Sequence, residues 1–476
     1  MKHILFTLSA LFLLAACSSN ENRAINEDVA AFVETNEKIA LFGSINVKEI
    51  INKADYKNID KAGKLIDKEL KTIQAILNFD TPVYFAMEGT VDMNGNPGLI
   101  YAFAEVKDKE KLTKNLQQRG LSMEKGKEFN FHESGDVAFA VTENRAVFVT
   151  KRGLTDGEKL IEQALKDLKE DTPENKVTEI ISQKGDIVFG ADLEASFLGS
   201  MSQLKMEKDK ETELKEMLTN CYSQSVISFE KGKVEMKTEN YLSEELKKWM
   251  FFGNNASKIL ADLGSGKPRA GMIMDLNMKK VQEFINKFAP NALGELGKIG
   301  GGQAQMAMAF AGEEGLAGLW TGRMGVVMMG EVEEEGAFKP EFNFNIGLGK
   351  GALAFVKGMM TSMKGNMAKL ELKGSNIVGS SSALYAKKGK LILPKGCENF
   401  GKKPYSGFVN FNGLDMSGFD LEEGKAFAEM LDYAYFEMDM DGAYFILKSK
   451  NAEQNILKSM VDQVMKNMEI NTSNIQ

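Results

Sequence analysis

Apolar positions along the chain gather into short strands that hand over directly to amphipathic helices. Residues 39–54, IALFGSINVKEIINKA, show the arrangement: an apolar run of strand length breaks at Asn46 and continues with apolar residues at helical spacing. The arrangement recurs at residues 186–201 (DIVFGADLEASFLGSM), 269–285 (RAGMIMDLNMKKVQEFI) and 405–419 (YSGFVNFNGLDMSGF). Each copy has a glycine in or beside the strand and an Asn or Asp where the strand ends, at Asn46, Asp192, Asp275 and Asn410. Four units in two halves are the simplest reading.

The remaining segments fill in around these units. Leu65, Ile66, Leu70, Ile73, Ile76 and Leu77 form a stripe at helical spacing, and so do Ile456, Leu457, Met460, Val461, Val464, Met465 and Met468 near the C-terminus. Strands at 83–87 and 99–106 flank Asn94-Gly95, a dipeptide suited to tight hairpin turns, and residues 129–150 read as a small meander. In the second half, strands are expected at 305–311, 324–330 and 341–348. In the last of these, Phe342, Phe344, Ile346 and Leu348 alternate with Asn343, Asn345 and Gly347, as in an antiparallel strand with one face buried. A helix from Gly351 takes the place that a helix from Lys109 has in the first half. Runs of strands broken by single helices predict an internally duplicated α+β fold, with antiparallel sheets and helices packed on one face. The expected boundaries are a leader at 1–16, a polar tether at 17–36 and a first half at 37–252 with units 39–176 and 184–252. A glycine-rich linker at 253–268 and a second half at 269–476, with units 269–396 and 403–476, complete the scheme.

The first residues change the picture. Lys2 and His3 precede an apolar run from Ile4 to Leu14, too short to span a membrane, and Leu14-Ala15-Ala16-Cys17 closes it. This ending resembles the lipobox of bacterial lipoproteins, in which the cysteine thiol receives a diacylglycerol and becomes the new N-terminus. Cys17 is therefore the expected lipidation site. Ser18 rather than Asp follows it, which favours the outer membrane, on its periplasmic side or at the cell surface. The net charge of −8, with 26% charged and 43% hydrophobic residues, is ordinary for a globular chain and excludes a basic face for nucleic acid. Cys221 and Cys397 remain, at non-equivalent places in the two halves, so nothing in the repeat pairs them.

The lipobox, the polar segment behind it and the strand and helix IALFGSINVKEIINKADY together resemble the uncharacterised lipoproteins of Bacteroidetes-type Gram-negative bacteria, known as a domain of unknown function. The resemblance covers most of the chain in order of elements. It implies an envelope location and supplies no activity.

Candidate chemistry is sparse. His132 is the one histidine beyond the leader, and it lacks the partners that a triad or zinc site requires. Residues 347–352, GLGKGA, have dinucleotide-loop spacing but read as a strand-to-helix turn. Ser202 and Lys205 have Ser-x-x-Lys spacing without companions. Asp92, Asn94 and Asn96 resemble calcium ligands without a closing acid, and an Asn-Gly turn explains the same letters. Among the 28 methionines, Met359, Met363 and Met367 stack at four-residue spacing, while Met272, Met274, Met306, Met308, Met328 and Met329 lie in strands. Core filling is the expected role, with soft-metal binding or an apolar pocket as alternatives. The loop GLAGLW at 315–320 is unusually apolar, which makes Leu316, Leu319 and Trp320 candidate contacts for a partner or the membrane.

No metal or cofactor site is expected. The leading functional reading is a non-enzymatic envelope lipoprotein that binds or scaffolds, held to the membrane by its lipid and meeting an unknown envelope protein or apolar ligand. A carrier with a Met-lined cavity for an apolar or lipid ligand is the alternative, and a hydrolase using two carboxylates is the third class.

Overall fold

A computed structural model describes residues 24–58, 60–76, 78, 80–89, 98–125, 128–170, 175–201, 206–290, 312–334, 337–362, 370–381, 389–412 and 427–473. The leader, Cys17, the Asn94-Gly95 turn, Ser202, Lys205, Met306, Met308, Met363 and Met367 lie outside the described residues, as does the expected strand at 305–311. The chain forms two compact units, one of Met1–Gln203, Leu218–Leu242 and Asn451–Gln476, the other of Leu204–Met217 and Ser243–Lys450.

Strands are β1 (Ile39–Ile45), β2 (Val83–Glu88), β3 (Ile100–Glu105), β4 (Glu124–Lys125), β5 (Asn130–Ser134), β6 (Val137–Val141), β7 (Arg145–Thr150), β8 (Ile187–Asp192), β9 (Tyr222–Glu230) and β10 (Lys233–Tyr241) in the first unit. They pair antiparallel in the order β4-β5-β6-β7-β3-β2-β1-β8-β9-β10. The second unit has β11 (Ala270–Asp275), β12 (Trp320–Glu334), β13 (Ala337–Leu348), β14 (Leu370–Lys373), β15 (Asn376–Ser380), β16 (Tyr405–Asn410), β17 (Leu431–Met438) and β18 (Gly442–Ser449). Their order is β14-β15-β13-β12-β11-β16-β17-β18, again antiparallel throughout. With the small β4 and β5 set aside, the two pairing schemes are the same. The fold is α+β with an internal duplication, and the two strand-and-helix copies of each half are hydrogen-bonded neighbours at mid-sheet, β1 beside β8 and β11 beside β16.

Helices follow the strands as the caps dictate. They are α1 (Ile25–Thr35), α2 (Val47–Ala54), α3 (Asp60–Gln74), α4 (Lys109–Gln118), α5 (Gly157–Asp167), α6 (Lys176–Ile181), α7 (Leu193–Met201), α8 (Lys208–Leu218), α9 (Glu244–Trp249), α10 (Ala256–Ala261), α11 (Met278–Phe288), α12 (Leu316–Leu319), α13 (Lys350–Ser362) and α14 (Ile456–Ser473). Asn46 accepts from the Glu49 N–H at 3.1 Å to start α2, Asp192 from Ala195 at 3.0 Å to start α7, and Asn277 from Lys280 at 3.3 Å to start α11. At the third copy the strand ends at Asp275, as read from the sequence, and the capping residue is Asn277, two positions on. Helices α4 and α13 each follow the third strand of their half, β3 and β13.

In the first unit, residues alternate along β3 between two cores. Phe103 packs with Phe42, Val147 and Val149 beneath α1, α5 and α6, while Ala102 and Ala104 pack with Leu70, Ile73, Leu112 and Leu116 of α3 and α4. The polar tether expected at 17–36 is too long, because residues 25–35 form α1 with Val29, Ala31 and Phe32 fully buried. Ile25, Val29 and Phe32 sit at i, i+4 and i+7, a helical stripe that the surrounding Asn and Glu residues obscured. Arg145 fixes the helix: its Nη2 and Nε donate to Asp28 Oδ2 at 2.6 and 3.0 Å inside the unit.

The boundary at 253–268 also differs from expectation. The first unit closes at Leu242, and residues 253–268 fold into the second unit, where Ala256, Ile259 and Leu263 pack against Ile273 and Val327. The helices that end each half are exchanged. Helix α9, after β10, lies on α11 in the second unit, with Trp249 ring centroids 5.8 and 5.9 Å from Phe284 and Phe288. Helix α14, after β18, lies on α2 in the first unit, where Val461 joins the core and Asn455 Nδ2 donates to the Phe229 carbonyl at 2.9 Å.

Candidate functional site

Alternation along β13 decides which face of the second sheet is open. Hydropathy alone would turn Phe342, Phe344 and Ile346 inward, yet Glu341, Asn343 and Asn345 are the buried set. The reason lies in the main chain of α10 and of the turn that follows it, which offers carbonyls to this side of β13. Asn343 Nδ2 donates at 2.9 Å to the carbonyl of Leu263, two residues past the helix, and Asn345 Nδ2 at 3.5 Å to that of Ile259, which also accepts from the Asp262 N–H, so the amides bind β13 to this segment. The apolar set is left on the opposite face.

Directly opposed residues of antiparallel strands share a face, so the register assembles that face in two rows. One row runs Phe342, Met328, Ala270, Val409, Ala434 across β13, β12, β11, β16 and β17. The other runs Phe344, Val326, Met272, Gly407, Phe436 across the same strands. Between them lies a cleft of about 350 Å³ in which no described lining residue has a polar side chain, and Phe342 at its rim is 36% exposed. Gly407 is required here, since a Cβ on it would stand 2.4 Å from Phe436 Cε1, and without one the ring lies down over the strand. Tyr405 steadies the floor: its hydroxyl donates to Met272 Sδ at 3.9 Å, and its ring packs at 5.2 Å from Phe436. Core filling therefore describes Met329, which is 4% exposed, while Met272 and Met328 line the open cleft.

A second, polar cleft of about 420 Å³ opens at the far end of β11, between Asp275, Asn277, Lys279, Asn254 and Arg323. Asp275 is almost wholly buried; its carboxylate accepts from the Asn255 N–H and faces Arg323 Nε at 3.6 Å. Its backbone carbonyl accepts from Gly253 N–H at 2.7 Å, so this residue pins the 253–255 segment to the strand end.

The other sequence candidates have structural positions. Leu316 and Leu319 form the one-turn helix α12 and Trp320 opens β12; all three are half-buried rather than on an open loop. Leu316 N–H donates to Gln282 Oε1 at 2.8 Å and Trp320 Nε1 to Arg323 O at 3.0 Å. The glycine spacing at 347–352 serves packing: a Cβ on Gly349 would come 2.2 Å from the Gly318 carbonyl carbon, and the Gly349 N–H donates to Leu319 O at 2.9 Å. His132 Nδ1 hydrogen-bonds the Ser122 carbonyl at 2.7 Å. Cys221 and Cys397 are both free and buried, and burial, with Glu398 beside it, pushes the Cys397 thiol up to about 12. Asp192 is the carboxylate nearest to what a hydrolase would use. Loss of hydration raises its carboxyl, and its charge helps raise that of Glu34, but one of its oxygens is occupied in capping α7. Among the described residues no three His, Cys, Asp or Glu side chains gather as a metal site, and no helix is long and apolar enough to cross a membrane. Sequence reasoning missed the two rows, because the opposing residues lie up to 139 positions apart and only register joins them; the placing of Met272 and Met328 in strands is the one signal of them in the sequence.

No protein-family model matches the chain, and no curated protein matches it. Two solved structures are similar in part, crystal forms IV and I of TP0453. They are 9% and 10% identical, cover 44% and 45% of this chain and 79% and 78% of their own, each at a TM-score of 0.27. A likeness at that level carries no argument.

Proposed function

We propose that this protein is a lipid-anchored binding module of the cell envelope that takes an apolar ligand on the sheet face of its second unit. One observation carries the reading: the open face of β13, β12, β11, β16 and β17 is apolar, while the helix-covered face of β13 holds the asparagines. A soluble protein seldom leaves a contiguous apolar patch open unless it binds there. Among the described residues that line the cleft none is titratable, so what it does with a ligand is hold it. Each methylene taken from water onto such a surface contributes about 0.8 kcal/mol. The anchor half of the reading rests on Leu14-Ala15-Ala16-Cys17 and on the resemblance to envelope lipoproteins.

The test is a fluorescence titration of purified full-length protein with anilinonaphthalene sulfonate, joined to organic extraction and mass spectrometry of protein taken from its own membranes. Saturable probe binding and a co-purifying apolar compound are expected. A probe response no larger than that of a well-packed globular protein, with nothing extracted, would overturn the reading.

A further inference from the structure

We propose that the ligand is a single hydrocarbon acyl chain of a lipid, laid across five strands of the second unit, and that the first unit has lost the corresponding site. The inference rests on the binding role proposed above and names its occupant.

The shape of the cleft carries the first step. Its two rows cross five strands, four inter-strand spacings of about 4.8 Å, which makes a trough about 19 Å long. Half the hydrocarbon core of a bilayer, the depth one lipid chain occupies, is about 15 Å. Ala270 and Gly407 keep the floor low at mid-trough, and Phe342 and Phe436 stand at its ends. The long narrow form suits one chain.

Chemistry excludes the other common occupant of a sheet face. A peptide brings an N–H and a C=O at every residue, and each would lose water without gaining a partner. β11 is hydrogen-bonded on both sides, to β12 and β16, and among the described lining residues no side chain is polar. A hydrocarbon chain has no such groups to leave unpaired.

The duplication carries the last step. Counting back from the capping residues Asn46 and Asn277 makes Leu41 the counterpart of Met272. Following the register outward, the row Met272, Gly407, Phe436 corresponds to Leu41, Ala191, Ser223, and the row Met274, Tyr405, Met438 to Gly43, Phe189, Ser225. Ser223 thus stands where the second unit has Phe436, and Ser225 where it has Met438. Ser225 is buried with its Oγ hydrogen-bonded to Thr238 Oγ1 at 2.8 Å, and Ala102 in the same row packs with α3 and α4, so this face of the first sheet is closed where the second unit has a trough. One site per protein follows.

The experiment is a titration of delipidated full-length protein with a fluorescent sixteen-carbon fatty acid, with stoichiometry read by native mass spectrometry. One chain per protein is expected. Phe436→Ser, which installs the first unit's residue, is expected to weaken binding about tenfold or more, while Met87→Ser in the first unit leaves it unchanged; thermal melting confirms that both variants are folded. Two chains per protein, or a folded Phe436→Ser that binds as the parent does, would overturn the inference. Binding that appears only in Cys17→Ser protein would also overturn it, by showing the anchor's own chain to be the occupant. Saturable anilinonaphthalene sulfonate binding without fatty-acid binding would sink the acyl chain and spare the broader role; failure of both probes would sink both.

Discussion

Asn343 reaches out of the middle of β13 to the main-chain carbonyl of Leu263, 80 residues earlier, and its amide nitrogen donates there at 2.9 Å. That contact sets which side of the second sheet faces the helix and which side stays open. A buried carbonyl deprived of its donor costs about 1–3 kcal/mol. Asn343→Leu is therefore expected to destabilise the protein by that amount despite its greater hydrophobicity. Urea unfolding followed by Trp fluorescence checks this, and a gain in stability would show that burial outweighs the bond to Leu263.

The buried Arg145–Asp28 pair should behave in the opposite way to a surface ion pair. Arg145 is 8% exposed and Asp28 9%, and Glu105 stands 3.6 Å from the same guanidinium. Arg145→Ala removes the guanidinium from the buried Asp28 carboxylate, while Glu105 keeps its bonds from Asn78 and Thr81, at an expected cost of about 3–5 kcal/mol. The Asp28→Ala/Arg145→Leu double variant should lose less than Arg145→Ala alone. Calorimetric melting of the set decides it.

Removal of α14 is expected to loosen the first unit, whose core it completes, although the helix is the last element of the chain. A chain ending at Lys450 should lose hydrogen-exchange protection in β9 and α2, where Asn455 and Val461 make their contacts, while β11 to β13 keep theirs. Protection lost in the second unit alone would contradict the exchange of end helices.

Cys397 gives a pH dependence with a definite sign. Its thiol is raised from 9.0 to about 12 in the fold, by burial first and then by Glu398. Above pH 9 the unfolded thiol ionises while the folded one stays protonated, so the native state holds more protons and stability falls as pH rises through that window. Below 9 the contribution is fully present. Alkylation of Cys397 by iodoacetamide at pH 9 should run about a hundredfold or more slower in native than in unfolded protein, and Cys397→Ala should flatten the alkaline decline.

Cys17→Ser should abolish lipid attachment and leave the two units folded. Two or three acyl chains on one cysteine make a lasting anchor where a single chain gives only marginal, reversible binding. Metabolic labelling with a clickable fatty acid is the measurement; equal labelling of the variant and the parent would remove the anchor, and with it the envelope location.

Local pattern determined the strands, the helices and the duplication. Asn46 follows β1 and caps α2, and Asp275 ends β11 with Asn277 capping α11 just beyond it; each cap acts through a contact three residues away, the range within which sequence acts alone. The stripe in α14 and the alternation in β13 were equally legible. What no local pattern contains is the partner. Alternation shows that β13 has two unlike faces but not which one meets α10, because the deciding bonds join Asn343 and Asn345 to carbonyls 80 and 86 residues away. The stripe in α14 shows that the helix docks but not that it docks in the first unit. The apolar cleft arises in the same way: Phe342, Met328, Ala270, Val409 and Ala434 become one row only when strand register aligns them. The sequence by itself thus determined the elements and their repetition, through interactions within a few residues. Only the tertiary structure decided which face is closed, which unit owns each end helix and where a ligand can lie, since those outcomes depend on hydrogen-bond partners and packing surfaces brought together from distant parts of the chain.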